Sequence, residues 1–293
     1  MQTRTKAMRD ALDRFLERAQ MTRRERVLRP TVATMEKALS RAFRTQGRRL
    51  IEESRVLEGA RGKGRIRPYS VIDEWMAERD GLMLREAWTV DDWLRLFDLV
   101  SGETVDLFFT PIQAGVAEAL LAGASEVIGM VGVDYAFGLA NPRAVAYLEA
   151  HGYGLISQID SVTRGNIATI VTNGTAEGWS YNRVAREITS LYSEMAIGKP
   201  QRHIDSRAHL IAVTEAGNGY EEGNLAVVRD LEDAGLRMEK KWLTVGDDRV
   251  SDGCQANQDE GWIPVAQAFQ SGHARPLRFP GCRCTTEYRR MRA

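Results

Sequence analysis

Three cysteines are the residues of this sequence whose type and spacing could do chemistry. Cys282 and Cys284 stand one residue apart in "RPLRFPGCRCTTEYRR", directly after a Pro-Gly turn, and Cys254 precedes them. Thiols in such a set can ligate a metal ion, exchange disulfides, or pack as small apolar groups. Spacing alone leaves these three roles open.

Other kinds of catalysis find little support in the chain. No histidine has a serine or cysteine nucleophile at a spacing that would pair them; the four are His151, His203, His209 and His273. The aspartates near residue 250 do not match a calcium-binding loop, and we interpret Asp248 as the cap of a helix that begins at Arg249. We therefore predict no catalytic residue and no enzymatic activity.

A polar stripe is predicted on one helix of the C-terminal third. Arg207 and Thr214 are seven residues apart, which almost eclipses them on a helix, and Glu215 follows. A carboxylate and a guanidinium without a nucleophile do not define a reaction. We interpret the stripe as a structural ion pair that holds this helix against neighbouring strands.

The elements that must position these residues are mostly helices. Apolar residues recur at helical spacing through most of the chain before residue 200. Start signals for these helices occur at Pro30-Thr31, Ser70, Thr89 and Asn141-Pro142, and residues 178–180 turn the chain between two antiparallel helices. The apolar run that begins at residue 107 contains two glutamates, so we interpret it as a buried helix and expect no membrane span.

Beyond residue 200 the pattern changes. One more helix precedes three short strands, at "KKWLTV", "GWIPV" and "CRCTTEYR". The predicted fold class is α+β and predominantly α-helical, with a small C-terminal α+β domain of short antiparallel strands. We expect Trp242 to be buried between the terminal strand and the helix that contains Ile211.

The formal charge of zero hides a strong asymmetry. Residues 1–67 hold 19 Lys plus Arg against 8 Asp plus Glu, a net of +11, so the remainder carries −11. Such clustering predicts non-specific contact with duplex DNA, with a solvated helix face or an acidic protein partner as alternatives. The candidate DNA-binding residues are Arg23, Arg24, Arg26, Arg41, Arg44, Arg48, Arg49, Arg61, Lys63 and Arg65.

The basic region is predicted to be a separate domain. It ends in "GARGKGRIRP", whose glycines and charges leave little to bury, so we predict a flexible joint there. The predicted domains are a basic helical region at 1–67, a helical region at 68–135, and a third region at 136–293. The first 20 residues lack the apolar core of a secretory signal, and we expect no export.

Ordered motifs in the second half resemble a known family. They are "AFGLANPRAVAYL", "SRAHLIAVTE", "KKWLTVGDDRVSDGC" and "RFPGCRC", which follow one another over residues 136–284. In order and spacing they are similar to the phage head morphogenesis proteins of the Mu F-like type, also called minor head or minor capsid proteins. The resemblance implies that residues 136–293 are a head morphogenesis domain and that 68–135 lie close to the portal.

The same resemblance bears on the cysteines. Many members of the family carry a Cys-x-x-Cys pair and a histidine before the last Cys-x-Cys, which together could supply a zinc site. This chain has Ser251 and Phe279 at two of those five positions. A disulfide is also disfavoured, because virion parts assemble in a reducing cytosol. We predict no cofactor and interpret the thiols as structural, with zinc at the three remaining cysteines as the less favoured alternative.

The function that the resemblance implies is structural. The protein would be a virion component in the head interior near the portal, assembled in the cytoplasm of the host bacterium. Its expected partners are the portal protein, the major capsid or scaffold protein, and packaged double-stranded DNA. The alternative is a metal-dependent hydrolase or nucleic-acid-processing enzyme in the C-terminal domain. Some relatives carry a toxin or transferase module after the Cys-Arg-Cys strand; only nine residues follow it here, so we expect none.

Overall fold

A computed structural model describes residues 22–61, 88–197 and 206–291 of the protein. This part of the chain forms six helices: α1 (Arg23–Arg61), α2 (Val90–Val131), α3 (Pro142–Ala176), α4 (Tyr181–Ile197), α5 (Arg207–Asp233) and α6 (Asp252–Asp259). Its three strands are β1 (Met238–Leu243), β2 (Ile263–Pro264) and β3 (Thr285–Arg290). The predicted class, predominantly helical with a small C-terminal α+β part, is confirmed.

Helix α1 begins seven residues before the predicted start at Pro30-Thr31. Its start is a capping box: Glu25 accepts a hydrogen bond from the Thr22 backbone N–H at 2.7 Å, and the Thr22 hydroxyl accepts one from the Glu25 N–H at 3.2 Å. Pro30 therefore lies inside the helix. The helix also continues through the first residues of the predicted joint to Arg61, and the rest of that joint lies outside the described residues.

Helix α2 begins where the sequence predicts. Thr89 and Asp92 form a complete capping box, whereas the predicted start at Ser70 lies outside the described residues. The helix is much longer than expected, because it continues without interruption through the apolar run. By length and composition alone it could cross a membrane. In this structure its buried residues extend from Asp92 to Val127 and pack among the other helices, which agrees with the predicted buried helix.

Helix α3 also starts as predicted, with Asn141 as its cap and Pro142 in its first turn. It is one continuous helix to Ala176. The predicted turn at 178–180 is present, with Gly178 in the left-handed region at φ 67°, and α4 follows it.

The helical core is organised around a close crossing of α2 and α5. Glycines allow the two backbones to touch: a Cβ at Gly123 would lie 2.0 Å from the Tyr220 carbonyl oxygen, and one at Gly223 would lie 2.0 Å from that of Leu120. Any side chain at either position would force the helices apart, because a Cβ cannot approach an oxygen so closely.

Helix α1 packs into this same core. Its buried apolar face includes Met35, Leu39, Phe43 and Leu50, which join side chains from α2, α3, α4 and α5 in one hydrophobic cluster. Residues 22–61 of the region predicted as a separate domain therefore share one core with the other described helices. Removing α1 would expose the apolar surface of its neighbours to water.

The small sheet has the strand order β2-β1-β3, with both pairings antiparallel. Trp242 of β1 lies opposite Thr286 of β3. The predicted third strand begins later than expected, at Thr285, so Cys282 and Cys284 lie in the segment that leads into the strand.

A buried ion pair joins the beginning of α1 to this C-terminal part. Arg24 is 3% exposed; its Nη2 donates to the Cys282 carbonyl at 2.6 Å, and its Nη1 lies 3.8 Å from Glu221 Oε1 on α5. Glu221 also accepts hydrogen bonds from the hydroxyls of Thr285 and Thr286, at 2.7 and 2.9 Å. Burial raises the pKa of the Glu221 carboxyl, and Arg24 and the two hydroxyls oppose that shift.

Trp242 is fully buried, as predicted, but its surroundings differ from the prediction. Its ring meets Phe269 edge-on, with centroids 5.1 Å apart, in a cluster with Ile263 and the three cysteines. Ile211, the expected neighbour, belongs to the helical core instead.

Replacing Trp242 with Ala should lower the free energy of unfolding by about 3–5 kcal/mol, because it leaves a large cavity in this cluster. Denaturant unfolding measures the change. Trp262→Ala is the matched control, since Trp262 is only half-buried against Arg289, and it should cost less than half as much. Equal losses for the two variants would contradict the placement of Trp242.

Candidate functional site

The three cysteines form one buried cluster, which we call the thiol cluster, although Cys254 precedes the other two by 28 residues or more. The Sγ atoms of Cys254, Cys282 and Cys284 all lie within 4.8 Å of one another, and Cys254 and Cys282 are 4.0 Å apart. Cys254 is in the first turn of α6, and the other two precede β3. All three are buried free thiols.

The turn before β3 sets the position of two of these thiols. Gly281 adopts φ 76°, in the left-handed region that favours glycine, and its backbone N–H donates to the Thr214 hydroxyl on α5 at 3.0 Å. The predicted Pro-Gly turn is therefore present, and α5 anchors it.

Five positions of the family's cysteine pattern surround one small depression. Its lining includes the three cysteines together with Ser251 and Phe279, the two positions at which the resemblance implies a cysteine and a histidine. The structure thus brings these five positions together.

The thiol cluster favours one ionised sulfur. The pKa of Cys254 lies below its ordinary value because the thiols of Cys282 and Cys284 stabilise its thiolate, with further help from Ser251 and Arg278. The same contacts raise the pKa values of Cys282 and Cys284, since each stays protonated while it donates. The arrangement therefore suits one negative charge and two shared protons.

The residues around the thiols do not complete a zinc site. Among the described residues, only these three thiols fall in the cluster of possible ligand atoms, whereas structural zinc sites use four. The Ser251 hydroxyl accepts a hydrogen bond from Arg278 Nη1 at 3.0 Å. This guanidinium adds a positive charge near any metal ion that the thiols would bind, which disfavours such binding.

The predicted polar stripe on α5 does not form an ion pair. Arg207 donates to the Ile159 carbonyl at 3.1 Å, and Thr214 accepts from Gly281. Glu215 forms a short hydrogen bond with His151 of α3. The interpretation that an ion pair in this stripe holds α5 to the strands is wrong. Thr214 alone of the three contacts the turn before β3, and Glu221, about two turns further along, bonds to the strand itself through Thr285 and Thr286.

The predicted cap at Asp248 is also wrong. Helix α6 begins at Asp252, after a turn in which the Asp247 carboxylate accepts a hydrogen bond from the Arg249 N–H at 3.1 Å. Asp247 also pairs with the guanidinium of Arg283, so it orders the chain beside the cysteines.

A second candidate surface lies on α1, on the face that points away from the core. Six exposed basic residues fall within about 60° of one another around the helix axis, at 3.6 residues per turn. We call this surface the basic ridge: Arg26, Lys37, Arg41, Arg44, Arg48 and Arg55. It extends for about 44 Å, at 1.5 Å per residue. Its one ion pair within the described residues is the loose contact of Arg48 with Glu52 at 3.9 Å.

The basic ridge differs from the predicted DNA-binding set. Arg24 is excluded, because it is buried and bonded to Cys282. Arg23 pairs with Glu126, and Arg49 pairs with Glu103 at 3.0 Å, so both face α2. The side chain of Arg61 lies outside the described residues, as do Lys63 and Arg65.

The prediction missed two members of the basic ridge. Lys37 and Arg55 continue the helical period of Arg41, Arg44 and Arg48 in the two directions along α1. Extending that period over the whole helix would have identified them.

In a comparison with protein families, residues 165–287 match the family model described as "Phage Mu protein F like protein". Residues 165–287 form a Mu F-like segment. The predicted resemblance is confirmed over this segment, although its expected beginning at residue 136 lies before the match. Comparison with curated proteins and with solved structures found no match.

The Mu F-like segment begins within α3 and ends within β3, so it contains the thiol cluster but not the basic ridge. The family is one of phage head morphogenesis proteins, which favours a structural role.

We expect the purified protein to contain no tightly bound metal. Elemental analysis should find far less than one zinc ion per chain, and a chelator should leave the melting temperature unchanged, because Trp242 and its neighbours already fill the region by packing. About one zinc per chain, together with unfolding on chelation, would contradict this prediction.

Proposed function

We propose that this protein is a minor head protein of a phage capsid. It binds the portal protein and the inner capsid surface during procapsid assembly, and its basic ridge contacts packaged DNA. The observation that carries the proposal is the Mu F-like segment at residues 165–287. That family match favours a structural role in the virion over a hydrolase in the C-terminal part.

The basic ridge supports the DNA contact. Its cations are exposed in a nearly straight row, and α1 is held in place by its buried apolar face. Long flexible cations on a convex helix suit phosphates, each of which releases counterions when it is neutralised. Guanidinium groups that bind phosphates make no contact with the bases, so the proposed contact is independent of the DNA sequence.

The fixed position of α1 also determines the geometry of the proposed DNA contact. Arg24 and Glu25 hold the beginning of the helix against the C-terminal segment through Cys282 and Arg283. The basic ridge therefore keeps a fixed orientation relative to the Mu F-like segment. A protein docked on the capsid or portal through that segment would present its cations in one direction.

Association with the head is tested on purified DNA-filled heads of the phage that encodes this protein. We expect quantitative mass spectrometry to find it in low copy number relative to the major capsid protein, and a zero-length cross-linker to join it to the portal protein. If the protein is present in the infected-cell lysate but absent from purified heads, the proposed function is wrong.

DNA contact is tested with the triple variant Arg41→Gln/Arg44→Gln/Arg48→Gln. The wild-type protein should bind random-sequence duplex DNA with a Kd on the order of 10⁻⁴ to 10⁻⁶ M, and loss of three phosphate contacts should reduce the slope of log K against log salt by about 2.7. Fluorescence anisotropy over a salt series measures both quantities.

The matched control removes three exposed arginines from α3 and α4, as Arg164→Gln/Arg183→Gln/Arg186→Gln, and therefore has the same net charge. It should bind DNA like the wild-type protein. Equal loss in both triple variants would show that net charge decides binding and not the basic ridge.

A further inference from the structure

The thiol cluster lines a depression that is open at one edge. Phe279 stands in its lining and is 38% exposed, whereas Cys254, Cys282 and Cys284 are 1%, 3% and 4% exposed. The space holds about one water-sized molecule. A reagent that reaches these sulfurs must therefore be as small as water or hydrogen peroxide.

A fixed positive charge lies beside Cys254. Arg278 reaches over the first turn of α6, where Gly253 makes room: a Cβ there would lie 2.5 Å from Arg278 Nη1. The same guanidinium donates to Ser251 at the helix cap. Cys254 thus has a guanidinium and the positive end of a helix close to its sulfur, and both favour a negative charge there.

We propose that Cys254 and Cys282 form a peroxide-sensitive pair that closes into an intramolecular disulfide. The geometry that supports this pair is the 4.0 Å separation of their sulfurs beside the Arg278 guanidinium, in a space that admits a small hydroperoxide. The chemistry does not depend on the proposed function of the protein.

The reaction has two steps. The Cys254 sulfur attacks one peroxide oxygen, the O–O bond breaks, and the departing hydroxide takes a proton to become water, which leaves a sulfenic acid. The Cys282 thiol then loses its proton and its sulfur attacks the Cys254 sulfur, which displaces hydroxide as a second water. The two thiols are oxidised by two electrons, and one hydrogen peroxide is reduced to two waters.

The disulfide would join two parts of the structure that now only touch. Cys254 belongs to α6, and the carbonyl of Cys282 accepts the hydrogen bond of the buried Arg24 at the beginning of α1. Oxidation would therefore attach to α6 the segment whose Cys282 carbonyl binds Arg24 of α1.

The sequence allows a direct test, because trypsin separates the three cysteines. Cleavage after arginine places Cys254 in residues 250–278, Cys282 in 279–283 and Cys284 in 284–289. The full-length protein is reduced, freed of reductant and treated with hydrogen peroxide without denaturant. It is then denatured, alkylated, digested and mapped by mass spectrometry.

We expect two of the three thiols to become resistant to alkylation. A disulfide should link peptides 250–278 and 279–283, while Cys284 stays alkylated. The variant Cys284→Ser should form the same link. In Cys282→Ser/Cys284→Ser no second thiol remains, so dimedone added together with the denaturant, which makes the buried sulfur accessible, should trap the sulfenic acid on Cys254.

The role of the guanidinium has its own matched pair of variants. Arg278→Gln should slow the loss of thiols on the order of tenfold, because Cys254 loses its neighbouring cation. Arg290→Gln removes an exposed arginine from β3 and should react like the wild-type protein.

Three results would overturn the proposal. In the first, all three cysteines still react with the alkylating agent after peroxide treatment. In the second, the disulfide links peptides 279–283 and 284–289 and not the expected pair, and in the third, a stoichiometric metal ion blocks the thiols in the native protein. An unchanged rate in Arg278→Gln would remove the guanidinium from the mechanism.

Discussion

The close crossing of α2 and α5 is the constraint on which the rest of the structure depends. At this crossing Gly123 and Gly223 bring each helix backbone against a carbonyl oxygen of the other, and Gly219 approaches Val116 in the same way. Helices in such contact fix each other's rotation, because only one set of side chains fits the remaining grooves. The apolar face of α1 then packs across both of them, and the small sheet packs against the C-terminal ends of α2 and α5.

The buried pair of Arg24 and Glu221 extends this constraint to both ends of the described chain. Glu221 projects from α5 just before Gly223 and bonds to β3, while Arg24 approaches from the beginning of α1. A buried charge left without its partner costs several kcal/mol, so loss of either residue would penalise the whole arrangement. The turn that carries the thiols is held by the same contacts, through the carbonyl of Cys282. The position of the thiol cluster and the position of α1 therefore depend on the same contacts.

Much of the fold and part of the candidate site could be predicted from local sequence. The capping box at Thr89, the cap at Asn141, the turn at Gly178 and the strand of Trp242 were predicted correctly, because each depends on hydrogen bonds or patterns within a few residues. The beginning of α1 was placed too late, since Pro30 was given more weight than the capping box of Thr22 and Glu25. Arg24 was misjudged for the same reason: once the helix begins at Arg23, Arg24 lies four residues before Leu28 on the buried apolar face.

The sequence by itself determined the helical class, the amphipathic basic character of α1 and the resemblance that led to the Mu F-like segment, because periodicity, charge and ordered motifs are properties of the chain. Only the tertiary structure decided that Arg23 and Arg49 pair with carboxylates of α2 and so do not belong to the basic ridge, since those pairs depend on how α1 packs against α2. It also decided that Cys254 meets Cys282 and that Arg278 stands beside them. The contact of Cys254 with Cys282 and that of Arg278 with Ser251 join residues 28 and 27 positions apart, and such distances are closed by packing that no local pattern encodes.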